Sequence, residues 1–475
     1  MKFTGDMLVA QGLKSGNHFG PLLRALNTGS YTESGMKELI QGFVNHKLPK
    51  RVHSNHGPIT VSLEVLKIFC DYEKTFEQHS LKLADSPIPY KVFGGENIEK
   101  GAFDQMNNAM SLPVAVAGAL MSDAHQGYAL PIGGVFATEN VIIPNAVGVD
   151  ISCRMRFSAF DVEFPSRNSL FKEEMRKALR TQTLFGTGHV IKDTIAPSSL
   201  IDPILDDERW NLPLVRKANL RLLAINQLSS SGGGNHFVDW GTYTTNDGRV
   251  RLGLLTHSGS RGVGYKIAKL YTSLAVSRFT NKDFHGFAWL DMDSDEGKEY
   301  WDAMHLAGDF AQVSHRIIHE RISKFMKLSP VESYETNHNF AWRENHVVNG
   351  VNRDLIVHRK GAVRAHQGEM GIIGGTMGTP SFIVEGKGNV DSLCSCSHGS
   401  GRAMSRKAAK EAFTKKQMAD FLLKAGVELL EGGLDECPMA YKDIEKVMNS
   451  QKDSINIIGK FDPKIVMMGE EEEEG

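Results

Sequence analysis

Residues 394–406 read CSCSHGSGRAMSR, a histidine, His398, set between two cysteines and a loop of small residues, with two arginines after it. Gly399 and Gly401 permit positive φ and let backbone N–H groups come close to an anion. From about Arg402 to residue 425 the pattern is helical, with Met404, Ala408, Ala412 and Phe413 on the inward face and many Lys and Arg outside. A helix beginning there turns its positive end toward the loop. Arg402 and Arg406 offer planar forks to phosphate oxygens. His398 can therefore be a metal ligand, a nucleophile toward phosphorus, or a residue that caps the helix. Cys394 and Cys396 have no second cysteine pair to complete a zinc knuckle.

Outward from this loop, residues 353–385 hold strand-like runs such as RDLIVHR and PSFIVEG. The run RVRLGLLTH lies between two Gly/Ser loops, and Val114–Ala117 and Val141–Ile143 read as buried strands. Residues 296–327 show helical spacing, with Met304, Ala307, Ala311, Ile318, Ile322 and Phe325 near one face. Glycine-rich segments spread from about 120 to 470, with no internal repeat and no linker. The expected fold is α/β, one large body of mixed sheets flanked by helices. Residues 1–90 form an N-terminal region without evident chemistry, expected to pack on that core; 91–469 form the catalytic domain; and the acidic tail 470–475 is expected to be disordered.

The 475 residues are 41% hydrophobic and 23% charged, ordinary for a soluble globular protein. No apolar run is long enough to span a bilayer, and the first residues lack the apolar stretch of a signal peptide. Five cysteines are too few and too scattered for a disulfide framework, which points to the cytoplasm. Lys and Arg number 54 against 56 Asp and Glu, and five of those acids are the glutamates 470–474. Such a balance leaves room for a local basic groove.

Five residues form a candidate metal set: Asp150 and Cys153 in GVDISCRM, His236 in GGGNHFVDW, His257 in LLTHSGSRG and His338 in TNHNFAWRE. Imidazole, thiolate and carboxylate together suit Mn, Zn or Co better than Mg or Ca. Five ligands exceed what one tetrahedral zinc with an open position takes, and suit two ions that share a ligand. Ion pairs of that kind serve phosphoryl chemistry. His315 and His319 share a helix face at i, i+4, but Arg316 stands where a metalloprotease helix needs Glu, so they read as packing or solvent residues. HSGSRG is a second candidate phosphate loop, and Arg359, Lys360 and Arg364 form a basic cluster that could grip a polyanion in a groove.

Nine segments in order resemble the RtcB family of GTP-dependent RNA ligases: SDAHQGYALPIGGV (122–135), GVDISCRM (148–155), GGGNHF (232–237), HSGSRG (257–262), HNFA (338–341), HRKGA (358–362), GTMGTPSFIV (375–384), SHGSGRAMSR (397–406) and PMAYKDI (438–444). The resemblance spans roughly residues 90–469. It implies that His398 takes GMP from GTP and that Asp150, Cys153, His236, His257 and His338 hold two Mn²⁺, with Cys153 bridging. It also implies that Asn235, Thr376, Ser381, Arg402, Tyr441 and the loop Gly399, Ser400, Gly401 surround GMP, that Asp239 replaces a glutamate that reads guanine, and that Asp123 is an acid near the reacting RNA end.

The implied activity joins an RNA 3′-phosphate or 2′,3′-cyclic phosphate to a 5′-hydroxyl through a histidine–GMP intermediate and an RNA-ppG end. The implied partners are RNA, GTP and an activating protein. The chain departs from the family pattern at Ser152 and Arg154, where glycine is usual, at Thr376 for serine, and at Met468, where a lysine contacts guanine. Methionine has no donor for that contact. Two other classes stay open: a guanylylating protein that caps nucleic-acid 3′-phosphates without sealing, and a metallo-phosphoesterase.

Overall fold

A computed structural model describes residues 2–13, 18–45, 47–74, 82–186, 198–279 and 286–469. The acidic tail lies outside these. The chain divides into two compact units, residues 1–80 with 277–280, and residues 81–276 with 281–475.

The first unit is helical with one hairpin. Helices Phe19–Thr28, Glu33–Val44 and Leu63–Lys74 and the hairpin Arg51–Ser54/Gly57–Thr60 surround a core that includes Leu22, Leu26, Leu39, Ile40, Phe43 and Val65. Thr32 starts the second of these helices by accepting the Gly35 N–H, a standard N-cap.

Two sheets dominate the second unit, which is mixed α/β. The larger has the order Pro330–Asn337, Arg154–Phe160, Val250–Ser258, Phe237–Thr245, Ile455–Met468, Ser381–Gly386, Met370–Ile373, with Glu428–Glu431 added parallel to Ile455–Met468. The smaller runs Asn339–Val348, Val351–Lys360, Ile132–Thr138, Ala115–His125, Lys91–Val92. The large sheet is covered on both faces, and strand alternation decides which residue meets which cover. Leu252 and Leu254 pack with Trp240, Phe160 and Ile465 against Ile318, Ile322 and Met326 of the long helix Asp295–Met326. Thr256 continues that face and bonds the rings of His315 and His319 at 2.9 Å each. Those two histidines are buried packing residues, because the helix face they occupy is the one pressed on the sheet. Leu255 points the other way, with Phe157, Tyr243 and Phe461, and His257 follows on that side.

The expected helix from Arg402 to 425 is two helices, Arg406–Ala412 and Lys415–Ala425. Ser405 caps the first by accepting the Ala408 N–H, and a Thr414–Gln417 capping box starts the second. Ala409 rather than Ala408 is the buried alanine. Arg402 therefore belongs to the loop.

The basic groove expected at Arg359, Lys360 and Arg364 is absent. In the strand Val351–Lys360 the residues from Leu355 to Lys360 are buried. Arg359 is fully buried, with both terminal nitrogens on Glu344 at 2.8 and 2.9 Å and its Nε on Ser395. Lys360 Nζ donates to the Tyr128 carbonyl, and Arg364 pairs with Glu369.

Candidate active site

Strand register brings the candidate ligands together. His257 sits opposite Met155 on one side and Phe237 on the other. Cys153 directly precedes Arg154–Phe160, His236 directly precedes Phe237–Thr245, and His338 directly follows Pro330–Asn337, whose Asn337 pairs with Arg154. Four adjacent antiparallel strands thus present one donor each at the same edge. Asp150 joins them from the preceding loop. Gly259 makes room for it: a Cβ there would collide with the Asp150 carboxylate. The N–H of Ser260 donates to Asp150 Oδ1 at 3.1 Å, so the HSGSRG loop holds this carboxylate instead of a phosphate.

The donor atoms form a continuous chain with the thiol in the middle. Asp150 Oδ2 lies 3.3 Å from His236 Nε2, which lies 3.6 Å from Cys153 Sγ. Cys153 Sγ lies 3.2 Å from His257 Nε2, and that atom 3.3 Å from His338 Nε2. Cys153, His236 and His257 meet the spacing for one ion, with donor atoms within 4.8 Å of one another. Burial, then repulsion from His236, lowers His257 to about 3, and burial with repulsion from His398 holds His338 well below the usual imidazole range. Both rings are neutral near pH 7 and keep lone pairs. His257 Nδ1 faces the Asn235 carbonyl at 3.0 Å, which fixes its proton there and leaves Nε2 to ligate. Burial and the Asp150 charge push the Cys153 thiol well up, so a thiolate here needs a cation beside it. The buried Nδ1 atoms of His236 and His338 have no hydrogen-bond partner. Three imidazoles, one thiol and one carboxylate, packed this closely, are the donor set of a borderline transition metal.

His398 stands next to this cluster, its ring centroid 4.9 Å from that of His338. Asp123, fully buried on the strand Ala115–His125, fixes it. Asp123 Oδ2 accepts His398 Nδ1–H at 2.7 Å, the His398 backbone N–H at 3.0 Å and the Gly399 N–H at 3.2 Å. Burial opposes the Asp123 charge, but His398 and Lys442 outweigh it and hold this carboxyl below its ordinary value. The proton of His398 is therefore on Nδ1, and Nε2 carries the free lone pair. Gly401, at φ +68, permits the loop to pass over the strand, since a Cβ there would strike the Asp123 carbonyl.

A cavity of about 590 Å³ opens beside His398. Of the residues expected around a nucleotide, Asn235, Thr376, Gly399, Ser400, Gly401, Arg402 and Tyr441 line it, as does Met468. Asp239 and Ser381 do not. Ser381 is buried and accepts the Gly375 N–H at 2.9 Å, supporting the loop from behind. Asp239 is buried within the large sheet with Oδ1 unpartnered, and burial raises its carboxyl well above the usual range. Asp123 is also buried, and its carboxylate is taken up by His398 and Gly399.

Two cavity residues were missed by sequence reasoning. Glu436 accepts from Arg402 at 2.9 Å and from Arg406 at 2.7 Å, and also bonds the Tyr441 hydroxyl. His125 lines the opposite wall. Both stand inside or next to quoted motifs, but neither spacing nor residue type set them apart.

The model of one protein family, described as tRNA-splicing ligase RtcB, matches residues 105–469. The chain belongs to the RtcB family. The RNA-splicing ligase RtcB of Escherichia coli K12 is 33% identical over 414 residues, covering 79% of this chain and 96% of that relative. The tRNA-splicing ligases RtcB of Methanococcus maripaludis and Thermococcus kodakarensis are each 28% identical, covering 79% and 80% of this chain and 92% and 95% of theirs. The RtcB match begins beyond the first compact unit. Where this RtcB chain replaces a usual glycine with Ser152, the residue keeps φ at +58. Its hydroxyl accepts from Arg154 at 2.9 Å and Asn337 at 3.3 Å, and its N–H donates to the Asn339 carbonyl at 2.6 Å. Arg154, the second replacement, pairs with Glu335. The Arg154 side chain thus helps to hold the left-handed turn at Ser152. At the far end, Met468 faces the cavity, and the Gly469 N–H donates to the His236 carbonyl at 3.3 Å.

Proposed function

We propose that this protein is an RNA ligase that joins RNA 3′-phosphate or 2′,3′-cyclic phosphate ends to 5′-hydroxyl ends, with His398 as the nucleophile toward GTP. The arrangement of His398 carries this reading: Asp123 on Nδ1, Nε2 free, and the ring against the Cys153-centred cluster. Residues 91–469 form the catalytic body. Asp150, Cys153, His236, His257 and His338 are the proposed ligands of two Mn²⁺, with Cys153 shared. When bound, the ions withdraw charge from phosphate oxygens as it develops.

The side chains divide the work. His398 Nε2 attacks the α-phosphorus of GTP and pyrophosphate leaves. Asp123 holds the ring in one tautomer and offsets the positive charge that appears on it. Arg402 grips phosphate oxygens from the loop, and Glu436 keeps Arg402 and Arg406 aligned at the cavity wall. An RNA 3′-phosphate then takes GMP from His398 and becomes RNA-ppG. The 5′-hydroxyl of the second strand attacks, and GMP leaves. Activation is needed because a bare phosphate monoester offers the hydroxyl no adequate leaving group. Among the described residues no helix is long and apolar enough to cross a membrane, in keeping with work on cytoplasmic RNA; dependence on an activating protein belongs to the same reading.

The test offers an RNA ending in 3′-phosphate and a partner beginning with 5′-hydroxyl, with GTP and Mn²⁺. A sealed product is expected. Phosphate release without a joined product would make the protein a metallo-phosphoesterase. A stable RNA-ppG end would make it a capping protein.

Cys153→Ala should cost at least half of the bound metal, because its thiolate is the donor nearest to both ends of the cluster. Elemental analysis of the purified variant checks this, and an unchanged metal content would refute the assignment. Circular dichroism should remain that of the wild type.

A further inference from the structure

The wall of the cavity away from Arg402 is formed by Glu99, His125, Gln126, Gly127 and Ile132. His125 ends the strand that carries Asp123, two residues on, so both side chains leave the same face. The His125 Nδ1 lies 3.2 Å from the Asp123 carbonyl oxygen, which places the ring proton on Nδ1 and a lone pair on Nε2. One residue therefore holds two imidazoles at the cavity, His398 by its carboxylate and His125 by its carbonyl. The charged and titratable groups facing His125 are Asp123, His398 and Lys442, with Glu99 on the same wall, where it accepts the Gln126 N–H at 2.6 Å. Burial lowers His125 to about 4, so the ring is neutral, and negative charge brought in by RNA phosphates raises its proton affinity toward neutrality.

Sealing leaves one chemical task without a residue. The 5′-hydroxyl must lose its proton as it attacks. The other imidazoles on the cavity wall are committed, His257 and His338 to the metal cluster and His398 to the nucleotide. Glu436 is held between two arginines, and the Tyr441 hydroxyl is bonded to Glu436. Glu99 is exposed and its carboxylate holds the Gln126 N–H; His125 remains, with a lone pair and a place on the wall.

We propose that His125 is the general base of the sealing step, a role that rests on the RNA-ppG reading above. The 5′-O–H proton passes to His125 Nε2 while the oxygen's electron pair forms the new P–O bond. The bond from that phosphorus to the oxygen of GMP breaks, GMP leaves with the electron pair, and the proton on His125 passes to water. His398 is not needed in this step, so the two imidazoles separate activation from sealing.

The test is single-turnover sealing by the full chain with Mn²⁺, using an RNA that already carries a 3′-ppG end and a 5′-hydroxyl partner. His125→Gln and His125→Ala should each slow it by about 10²–10⁴-fold, the usual worth of a positioned base. GMP transfer from GTP to His398 should fall far less than sealing in both, and added imidazole should restore part of the rate in His125→Ala. Sealing at the wild-type rate in either variant would overturn the proposal. So would a parallel loss of GMP transfer, or a slow His125→Ala that imidazole does not accelerate, either of which makes the residue structural. Failure of the wild type to seal the preformed 3′-ppG end would refute the RNA-ppG reading itself.

Discussion

His398→Ala is expected to abolish both covalent attachment of GMP and sealing of RNA 3′-phosphate ends, while the protein keeps its fold. The fold should survive because the ring is held by one hydrogen bond and lies at the cavity, not in a core cluster. The backbone bonds from His398 and Gly399 to Asp123 do not depend on the side chain. Activity should be lost, because among the described residues no other imidazole is placed to take over. His257 and His338 point their Nε2 atoms at the cluster, and His125 is held by a different atom of Asp123. Incubation with labelled GTP and Mn²⁺, followed by denaturing electrophoresis, should show a band for the wild type and none for the variant. An RNA supplied with a ready-made 3′-ppG end should still be sealed by His398→Ala, since activation is then complete. Loss of that reaction too would mean that the ring does more than carry GMP.

Asp123→Ala should lower GMP transfer to His398 by about 10³–10⁴-fold, the scale seen when a buried carboxylate is taken from a catalytic histidine. Three donors converge on Oδ2: the ring Nδ1–H and two backbone N–H groups. Without an acceptor there, the ring can rotate or take the other tautomer, and Nε2 is no longer the free nitrogen. Asp123→Asn should cost up to about 10⁴-fold, the scale of the same change beside another catalytic histidine, and it isolates the charge and tautomer contribution. An amide oxygen can occupy the Oδ2 position and accept all three bonds, and its NH₂ then falls where Oδ1 now has no partner. Geometry is kept, and what is lost is the negative charge that offsets a positive imidazole and fixes its tautomer. Equal losses in both variants would show that charge and tautomer alone matter. Rates come from single-turnover adduct formation, with metal content measured in each variant to exclude an indirect effect on the cluster.

Much of this arrangement could be read from the sequence, and the limits have physical causes. Buried apolar runs with turn signals revealed the main strands, and the 3.6-residue spacing revealed the long helix Asp295–Met326. The five metal-ligand candidates were visible as imidazole, thiol and carboxylate side chains beside strand-like runs and loops. Which of them are neighbours was not visible, since that depends on the antiparallel register of four strands far apart in the chain. Charge signs misled at Arg359: a basic run looks the same in sequence whether solvated or, as here, buried on Glu344. Asp239 shares the face of Phe237 and His257, since it pairs with Leu255, but it lies two residues farther along the strand, where it is buried. The start of the helix after His398 shifted by four residues because Ser405 is the better cap. The bond from Asp123 to His398 spans 275 positions, and no local pattern announces a contact of that range.

The most direct measurement identifies the atom that carries GMP. The wild-type protein is incubated with GTP and Mn²⁺, digested at alkaline pH, and its peptides are sequenced by tandem mass spectrometry. GMP should be found on His398, in a linkage stable to base and cleaved by mild acid, as a nitrogen–phosphorus bond requires. GMP on a lysine or a cysteine, or no nucleotide on any peptide, would contradict the account.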